Sequence, residues 1–482
     1  MEALHDPRIK RILLSIRDSC PASYIVGGAV RDHLMGRHGD KDLDVAVNDD
    51  GIDLAKRIAD SLGAEFAVVP LDAEHGTARI VVRAEPHGYV DISRFKAATI
   101  EEDLALRDFT INALALKVSD LLESRNHNVI DVAGGQSDIW ARTVRVCSRN
   151  AFADDPLRIL RAFRFMARLG FEIAAETLTL IPKNVEGLKS VATERVRDEL
   201  IAILESDSSF PALMKMDEAS LFAVVFPELT PMKGCEQNDF HHLDVWFHSL
   251  EAVRQMELIL ETLSSDFGET GEKIRAYVTG EIVPRRQRLA LLKLAALFHD
   301  SGKPAARFID AGGRVRFFGH EKISRRIFEE SASRLKLSNK EIKSMADIVD
   351  GHMRPTMFTA RKVSAKAINR LFRRFEKDVV GLLILFLSDL AATQGPARRP
   401  GELERAKERV AEALRTLFQT ENQPRKKLVS GRDLIAIFQM ESGPRLGKLL
   451  NRLSELQDLQ EIGTREEALA AARKLLAAHY GE

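Results

Sequence analysis

Hydrophobic residues in the first third of the chain follow two different periods, which predicts a mixed α/β unit. Helical spacing covers residues 7–19 and 51–62. Residues 24–26 have strand character and end at the glycine pair Gly27-Gly28, after which helical spacing resumes as far as Leu34. Further short strands are predicted at 43–47, 65–69, 78–82 and 89–92.

Beyond about residue 154 the strand patterns fade and amphipathic helical patterns dominate. These patterns cover residues 154–169, 193–205, 245–263, 287–299, 320–336, 339–351 and 403–418. A chain of 482 residues has the length of two to four domains. We therefore expect an α+β multidomain fold with linkers at 238–242 and 397–401. Its predicted parts are a mixed-sheet head (1–145), an all-α neck and body (146–237), a second all-α domain (238–400) and a helical tail (401–482).

The composition is that of an ordinary globular protein and does not indicate a binding partner. Hydrophobic residues make up 45% and charged residues 29%, which is ordinary for a soluble globular protein. Lys plus Arg and Asp plus Glu both number 71, so any binding of RNA needs a local basic face. The three cysteines are scattered, and neither a signal peptide nor a membrane-spanning stretch is recognisable. We expect a cytoplasmic protein with no membrane partner.

Two carboxylates suggest a metal site in the head. Asp42 and Asp44 stand two apart in a predicted strand, so both side chains point to one face. Alone, such a pair is more often a solvated strand edge, but oxygen ligands of this kind suit Mg²⁺ that keeps open positions for phosphates. Asp91, on another predicted strand, is a candidate third catalytic carboxylate.

The glycine turn upstream of these carboxylates favours a phosphate site. Gly27 and Gly28 let backbone N–H groups approach a triphosphate, and the N-terminus of the following helix attracts anions. Arg31, inside that helix, adds charge-assisted contacts. Without the neighbouring carboxylates, the glycine pair would indicate only a turn.

Together these residues closely resemble the head of the class II tRNA nucleotidyltransferases and the related bacterial poly(A) polymerases. Residues 102–115 and 130–138 extend the similarity. The resemblance implies that the first of these segments governs ribose recognition and head organisation, through Arg107, Asp108 and Asn112. It implies tRNA, CTP and ATP as partners and Mg²⁺ as the cofactor of the head.

Residues 152–161 resemble the segment in this family that selects the incoming base. The resemblance assigns base selection to Asp154, Asp155 and Arg158, and nucleotide binding to Arg161. A carboxylate accepts from the exocyclic amine of C or A and a guanidinium donates to ring acceptors, so U and G are refused. The family usually has Glu where this chain has Asp154. As an isolated feature, Asp154 would suit a helix cap.

A basic stripe continues from this segment. Arg164 and Arg168 recur at helical spacing after Arg158 and Arg161, and Arg195 and Arg197 follow further along. We expect Arg164, Arg168, Arg195 and Arg197 to face RNA phosphates, with a solvated helix surface as the alternative for the first two.

The connection after residue 94 bears on how many nucleotides are added. Only residues 95–100 separate Arg94 from Glu101, whereas the CCA-adding and A-adding relatives usually carry a longer flexible loop here. The short connection resembles the CC-adding branch. We therefore expect addition of two C residues, with a separate A-adding enzyme completing the end; full CCA addition stays open.

The second half of the chain resembles the HD metal-dependent phosphohydrolase superfamily, beginning with the adjacent pair His299-Asp300. Histidine nitrogens and carboxylate oxygens suit Mn²⁺, Ni²⁺, Co²⁺, Fe or Mg²⁺. The resemblance implies a first metal held by His248, His299, Asp300 and Asp389, with His320 and His352 nearer a second metal or a substrate phosphate.

Three functions remain open at this point. The leading hypothesis is a template-independent tRNA nucleotidyltransferase. The alternatives are a poly(A) polymerase and an RNA-binding HD-domain phosphohydrolase that acts on RNA 3′ ends. The tail, with Lys426 and Lys427, is predicted to contact tRNA.

Overall fold

The computed structural model describes residues 5–37, 42–83, 88–123, 128–360, 363–421, 428–458 and 461–478. The side chains of Asp42, Thr420, Glu421, Glu455, Asp458 and Ala478 lie outside this description, as do Lys426 and Lys427. The chain divides into two compact units, Met1–Val225 and Phe226–Glu482.

The first unit begins with a mixed sheet and the helices that cover it. The strands are β1 (Ser23–Val26), β2 (Asp42–Val47), β3 (Phe66–Asp72), β4 (Thr77–Val82), β5 (Tyr89–Arg94), β6 (Leu114–Lys117) and β7 (Ile130–Asp131). The helices are α1 (Pro7–Ser19), α2 (Gly28–Leu34), α3 (Gly51–Leu62), α4 (Ile100–Ala105), α5 (Val118–Leu122) and α6 (Gly135–Trp140). The strand order is β3-β4-β5-β2-β1-β6-β7, and β2 pairs with β5 in parallel while the other described pairs are antiparallel.

Alternating burial explains why these residues form a sheet. Along β4, Ala78, Ile80 and Val82 are buried while their neighbours are half-buried. Helix α3 packs against β3, β4 and β5 through a buried face that includes Leu54 and Ile58. Each such aliphatic side chain contributes about 2 kcal/mol when it leaves water. The predicted mixed-sheet head is confirmed.

Seven further helices and a small parallel ladder complete the first unit. These helices are α7 (Ala151–Asp154), α8 (Leu157–Leu169), α9 (Ala175–Leu178), α10 (Ile181–Asn184), α11 (Thr193–Leu204), α12 (Phe210–Glu218) and α13 (Leu221–Val225), and the ladder joins β8 (Thr143–Val144) to β9 (Glu172–Ile173). The prediction of one helix over 154–169 is wrong at its start. Asp155 is extended, because a residue that precedes proline, here Pro156, is pushed out of the helical region.

The second unit is almost entirely helical. Its helices are α14 (Val245–Glu261), α15 (Leu263–Phe267), α16 (Glu269–Thr279), α17 (Arg288–Phe298), α18 (Lys303–Ala306), α19 (His320–Arg334), α20 (Asn339–Gly351), α21 (Ala365–Phe375), α22 (Val379–Ala392), α23 (Glu402–Glu421), α24 (Gly431–Phe438), α25 (Pro444–Asp458) and α26 (Arg465–Ala478). Two small hairpins pair β10 (Glu281–Val283) with β11 (Arg286–Gln287) and β12 (Phe308–Ile309) with β13 (Val315–Arg316). Short 3₁₀ helices in the two units cover Thr110–Asn112, Val185–Ser190, Pro227–Met232, Arg354–Thr359 and Glu376–Asp378.

The two segments predicted as linkers are bonded to each other in the second unit. Ala397 N donates to Asp239 O at 3.1 Å, and Gly395 N, two residues before the second segment, donates to Phe240 O at 2.7 Å. Head and neck residues belong to one compact unit, and the four-part division of the chain stays a proposal. Within the described residues, no helix combines the length and the apolar character needed to cross a bilayer.

Candidate active site

The glycine turn between β1 and α2 brings a carboxylate close to a helix N-terminus. Gly27 has φ +72°, a conformation that favours glycine, and α2 begins at Gly28. A Cβ atom on Gly27 would lie 3.7 Å from Asp44 Oδ2 and 3.5 Å from Arg107 Nη1. The turn is therefore lined by one acidic and one basic side chain, with little space for a larger residue.

A cavity of about 500 Å³ opens at this turn. Its lining combines the turn, the Asp44 carboxylate and cations from both the sheet region and α8. The lining residues are Gly27, Gly28, Arg31, Asp32, Arg37, Asp44, Arg107, Asp108, Asn112, Arg161, Arg164, Phe165, Arg168 and Leu169. Six guanidinium groups in one cavity favour a polyanionic ligand such as a triphosphate.

Asp44 and Asp91 are neighbours in the parallel ladder between β2 and β5. Asp44 is exposed at the cavity, whereas both oxygens of Asp91 accept from Arg79, at 2.7 and 2.8 Å. Asp42 begins β2, and its side chain lies outside the description. The described head thus places the Asp44 carboxylate at the cavity, where it could hold a divalent cation, and Asp91 lies beside it bonded to Arg79.

A chain of hydrogen bonds joins α2 to α8 through the segment after α4. Arg31 Nη1 donates to Asn112 Oδ1 at 2.8 Å, and Asn112 Nδ2 donates to Asp108 Oδ1 at 3.2 Å. Arg161 donates to Asp108 Oδ2 through Nε and Nη2, at 2.8 and 2.5 Å. Burial alone would raise the pKa of Asp108, but the Arg161 guanidinium outweighs it and holds that pKa below its usual value.

Glu199 on α11 extends this network to two of the cavity-lining arginines. Its carboxylate lies 3.0 Å from Arg164 Nε and 3.9 Å from Arg161 Nη1. Burial raises the pKa of Glu199 and lowers that of Arg164, since both groups are removed from water. These two arginines are thus fixed in orientation by carboxylates while they face the cavity.

The residues predicted to select the base lie outside the lining of this cavity. Asp154 is exposed at the end of α7. Asp155 Oδ1 accepts from Leu157 N, the first residue of α8, at 3.1 Å, and its Oδ2 accepts from Arg195 at 3.1 Å. Arg158 Nη2 donates to Leu106 O at 3.4 Å.

Two predicted RNA-binding residues lie at the cavity and two lie away from it. Arg164 and Arg168 line the cavity, as does Arg161. Arg195 is bonded to Asp155, and Arg197 Nε donates to Asp198 at 2.8 Å.

The second unit brings together all six of its predicted metal ligands, in two sets. Within each set, one ligand atom from each residue lies within 4.8 Å of the others. The first set is His248, His299 and Asp389, and the second is Asp300, His320 and His352. Both sets are buried except for the half-buried Asp389.

Asp300, a member of the second set, also lies close to two histidines of the first set. Its Oδ2 is 3.1 Å from His299 Nε2 and 3.6 Å from His248 Nε2. Its Oδ1 is 3.1 Å from His320 Nε2 and 3.6 Å from His352 Nε2. A carboxylate in this position can bridge two cations.

The orientation of the imidazoles fits metal binding. The Nδ1 atoms of His299, His320 and His352 lie 2.7–2.8 Å from the carbonyl oxygens of Ala296, Phe317 and Val349. An Nδ1–H that donates to a carbonyl leaves the Nε2 lone pair directed into the centre of the cluster. Both oxygens of Asp300 are buried without a well-directed hydrogen bond from any described residue, as expected for metal ligands.

The carboxylates control the protonation of this cluster. Burial opposes a charged imidazolium, but Asp300 and Asp389 outweigh it and raise the pKa of His299 to about 10. Burial lowers the pKa of His352. Burial also lowers the pKa of His241, whose ring packs 4.9 Å from that of His248, to about 3.

Sequence reasoning missed several residues at both sites. Lys303 Nζ lies 2.5 Å from Asp300 Oδ2, and its place three residues after Asp300 at the start of a helix could have indicated this contact. Arg37 and Phe165 line the head cavity, and Glu199 orients its arginines. No local pattern marks these three, since tertiary packing alone brings Arg37 and Phe165 to the cavity and Glu199 to its arginines.

Three family models match successive parts of the chain. They are the poly A polymerase head domain over residues 23–145, the probable RNA and SrmB-binding site of polymerase A over 170–233, and the HD domain over 245–389. The first match covers the glycine turn and Asp44 in the first unit, and the third covers all six predicted metal ligands in the second unit.

Similar proteins and structures agree with these models. An A-adding tRNA nucleotidyltransferase of Deinococcus radiodurans is 33% identical over 94% of this chain and 95% of its own length. A CC-adding enzyme of Thermus thermophilus is 30% identical over 93% and 92%, and one of Geobacter sulfurreducens is 39% identical over 59% and 60%.

Among solved structures, a CCA-adding enzyme with CTP has TM-score 0.64 at 20% identity, covering 99% of this chain and 97% of its own. The Thermotoga maritima CCA-adding enzyme complexed with tRNA has TM-score 0.62 at 22% identity, covering 98% and 96%. At these identities the structures establish a shared fold. The identity and coverage of the relatives also establish the family. The chain belongs to the family of tRNA nucleotidyltransferases and bacterial poly(A) polymerases, with an HD domain in its second half.

Proposed function

We propose that this protein adds C residues to the 3′ end of tRNA from CTP by Mg²⁺-dependent nucleotidyl transfer. The observation that carries the proposal is the cavity at the Gly27 turn, which combines the Asp44 carboxylate with arginines from α2 and α8. A triphosphate needs such positive charge, and transfer at its α-phosphate needs a carboxylate-bound cation beside it. The three thiols are free, which fits a reducing compartment such as the cytoplasm.

The residues of the chain have separate tasks in this reaction. The N–H groups at the start of α2 and the guanidinium of Arg31 would bind the phosphates, and Asp108 and Asn112 would hold Arg31 and Arg161 in place. Asp44, with Asp42 and Asp91, would hold Mg²⁺. That cation would neutralise developing phosphate charge and lower the pKa of the attacking 3′-hydroxyl.

Base selection stays assigned to Asp154, Asp155 and Arg158. All three lie beside the cavity-lining part of α8, and Asp155 already orients Arg195. Carboxylate and guanidinium on one Watson–Crick edge would accept C or A and refuse U and G.

The connection between β5 and α4 favours two additions over three. Its five residues, 95–99, are bonded at the first end, where Phe95 N donates to Val47 O at 2.8 Å and Lys96 N donates to Asp103 Oδ1 at 2.9 Å. Thr99 then caps α4 through Glu102 N at 3.3 Å. So short and restrained a connection is unsuited to remodelling the pocket for ATP. We therefore propose CC addition, with the terminal A supplied by a separate enzyme.

Product length distinguishes the candidate activities. The purified protein is incubated with tRNA that ends at the discriminator base, with CTP, ATP or both, and tRNA that already ends in CCA serves as the control. Two added residues, with or without ATP, support the proposal. Three residues with both nucleotides would show CCA addition, one A on a tRNA ending in CC would show A addition as in the Deinococcus radiodurans relative, and a long ATP-dependent ladder would show poly(A) synthesis.

A second activity is proposed for the HD domain, namely hydrolysis of phosphate esters at RNA 3′ ends. The double set of ligands around Asp300 favours it, because a bridged metal pair can activate water. The probe is an RNA with a terminal 2′,3′-cyclic phosphate or 3′-phosphate. His299→Ala should abolish hydrolysis and spare nucleotide addition, whereas Asp44→Asn should do the reverse; loss of both activities in either variant would contradict two separate sites.

A further inference from the structure

The second unit contains a strongly basic cavity whose lining includes none of the six HD ligands. It has a volume of about 510 Å³ and lies at α21 and the 3₁₀ helix Arg354–Thr359. Five of its nine lining residues are Arg or Lys, and none is Asp or Glu. In a chain whose formal net charge is zero, this is a local concentration of positive charge.

Three of the five cations have no acidic partner among the described residues. They are Arg354, Lys366 and Arg370, all exposed to solvent at the cavity. Paired arginines elsewhere in the chain stabilise its own structure, so unpaired cations that converge on one cavity indicate an external anion.

The remaining two cations fix the walls of this cavity. Arg373 donates to Ser454 Oγ at 3.1 Å and to Asn451 O at 3.3 Å, which joins α21 to α25. Arg374 Nη2 lies 3.1 Å from Asp350 Oδ2, which joins α21 to α20. Helix α21, which presents Lys366 and Arg370, is therefore held at two points.

Packing below α21 adds to this rigidity. Phe375 is buried against Gly351, where a Cβ atom would overlap the phenyl ring. Leu371 is buried one residue after Arg370. A site on a fixed helix loses less entropy when it binds than a site on a loose loop.

The spacing of the cations suits a row of phosphates. Lys366 and Arg370 are four residues apart, so they lie on one face of α21 about 6 Å apart along its axis, and Arg354 adds a third cation from the 3₁₀ helix. A nucleic-acid strand presents phosphates repeatedly over such a length, whereas a single small anion would need only one of these positions.

We propose that this basic cavity binds phosphodiester groups of the RNA substrate. The inference rests on the proposed function, because it places a second RNA contact in the same enzyme. The family model described as RNA-binding covers residues 170–233 of the first unit, so this cavity is a separate site. Met357 and Ala367 supply apolar surface beside the cations, which can pack against ribose.

The test compares two triple variants that remove the same charge. The first is Arg354→Gln, Lys366→Gln and Arg370→Gln. The matched control is Lys322→Gln, Lys340→Gln and Lys343→Gln, three exposed lysines of α19 and α20 outside the cavity lining. Binding of fluorescent tRNA that lacks its CCA end is measured between about 50 and 200 mM KCl. Circular dichroism and thermal unfolding verify that both variants fold.

In the cavity variant, the slope of log affinity against log salt should become shallower by about 2, at about 0.7 for each lost single-strand contact. Affinity at about 100 mM salt should fall at least tenfold, while the control stays within about threefold of the wild type. Equal affinity and slope in the two variants would overturn the proposal.

Free nucleotide is the other source of phosphate, so labelled CTP is bound to the same proteins. Unchanged CTP affinity in the cavity variant supports an RNA site; a loss of CTP affinity with intact tRNA binding would overturn it. The outcome is separable from the proposed function, since a wild-type protein that binds tRNA through this cavity but transfers no CMP would refute only that function.

Discussion

Metal binding to the HD cluster should release a proton, because His299 is held as an imidazolium in the metal-free protein. Asp300 and Asp389 raise the pKa of His299 to about 10, so this side chain is charged at pH 7. A metal coordinates only the neutral imidazole. Binding must therefore displace the proton, and affinity should increase with pH.

The cost of removing this proton at pH 7 follows from the difference between pH 7 and the pKa of His299. Three pH units correspond to about 4 kcal/mol, at about 1.36 kcal/mol per unit, so the metal affinity at pH 7 should be about a thousandfold weaker than that of the site with a neutral His299. The stability of the metal-free fold has the opposite pH dependence: the ion pairs of a His299 imidazolium stabilise it at low pH and are lost as the pH rises through about 10.

Isothermal titration calorimetry with Co²⁺, in two buffers of different ionisation enthalpy between about pH 6.5 and 8.5, measures the number of protons released and the metal affinity. We expect about one proton released for the first metal and a tenfold gain in affinity for each pH unit. His242→Ala, an exposed neighbour outside both ligand sets, should leave this unchanged. Affinity that is independent of pH, with no proton released, would refute the reasoning.

Two further changes test packing and charge. Gly302→Ala should lower the unfolding temperature and reduce the free energy of unfolding by about 1–3 kcal/mol, because the new Cβ would overlap His320 O. The control is Gly443→Ala, where no atom lies within 4 Å of the new Cβ. Equal unfolding temperatures of the two variants would contradict this account. Asp108→Asn should remove the ion pair with Arg161 and reduce CMP transfer. Its free energy of unfolding should fall by about 2 kcal/mol, after allowance for the partial exposure of Arg161. A variant as stable as the wild type in urea unfolding would exclude a stabilising role of this ion pair.

Patterns with one buried face could be predicted from the sequence. The alternation in β4 and the amphipathic face of α3 are visible in the residue order, because one side of each element is buried and the other is not. The glycine turn was also predictable, since Gly27 adopts a backbone conformation that few other residues tolerate.

Elements buried on every side left no such pattern. Helix α22 is buried around nearly its whole circumference, so its hydrophobic run has no helical period, and only Asp389 within it was recognised. The break before α8 was missed because the effect of Pro156 on Asp155 competes with an otherwise helical pattern.

Pairings between distant residues also required the structure. Arg79 holds Asp91 because β4 and β5 place these residues opposite each other, and strand register is not visible in the sequence. Likewise, the order of His and Asp residues predicted a metal cluster, but not that the two oxygens of Asp300 face different ligand sets.

The most direct test of the central claim is single-turnover transfer of CMP to tRNA lacking its CCA end by Asp44→Asn. Asp53→Asn, a similar change on the exposed first turn of α3, is its matched control. Asp44→Asn should transfer CMP at least about a hundredfold more slowly, since the carboxylate at the cavity would no longer hold a cation, while Asp53→Asn should keep the wild-type rate. Equal rates for the two variants would contradict the placement of catalysis at the Gly27 turn.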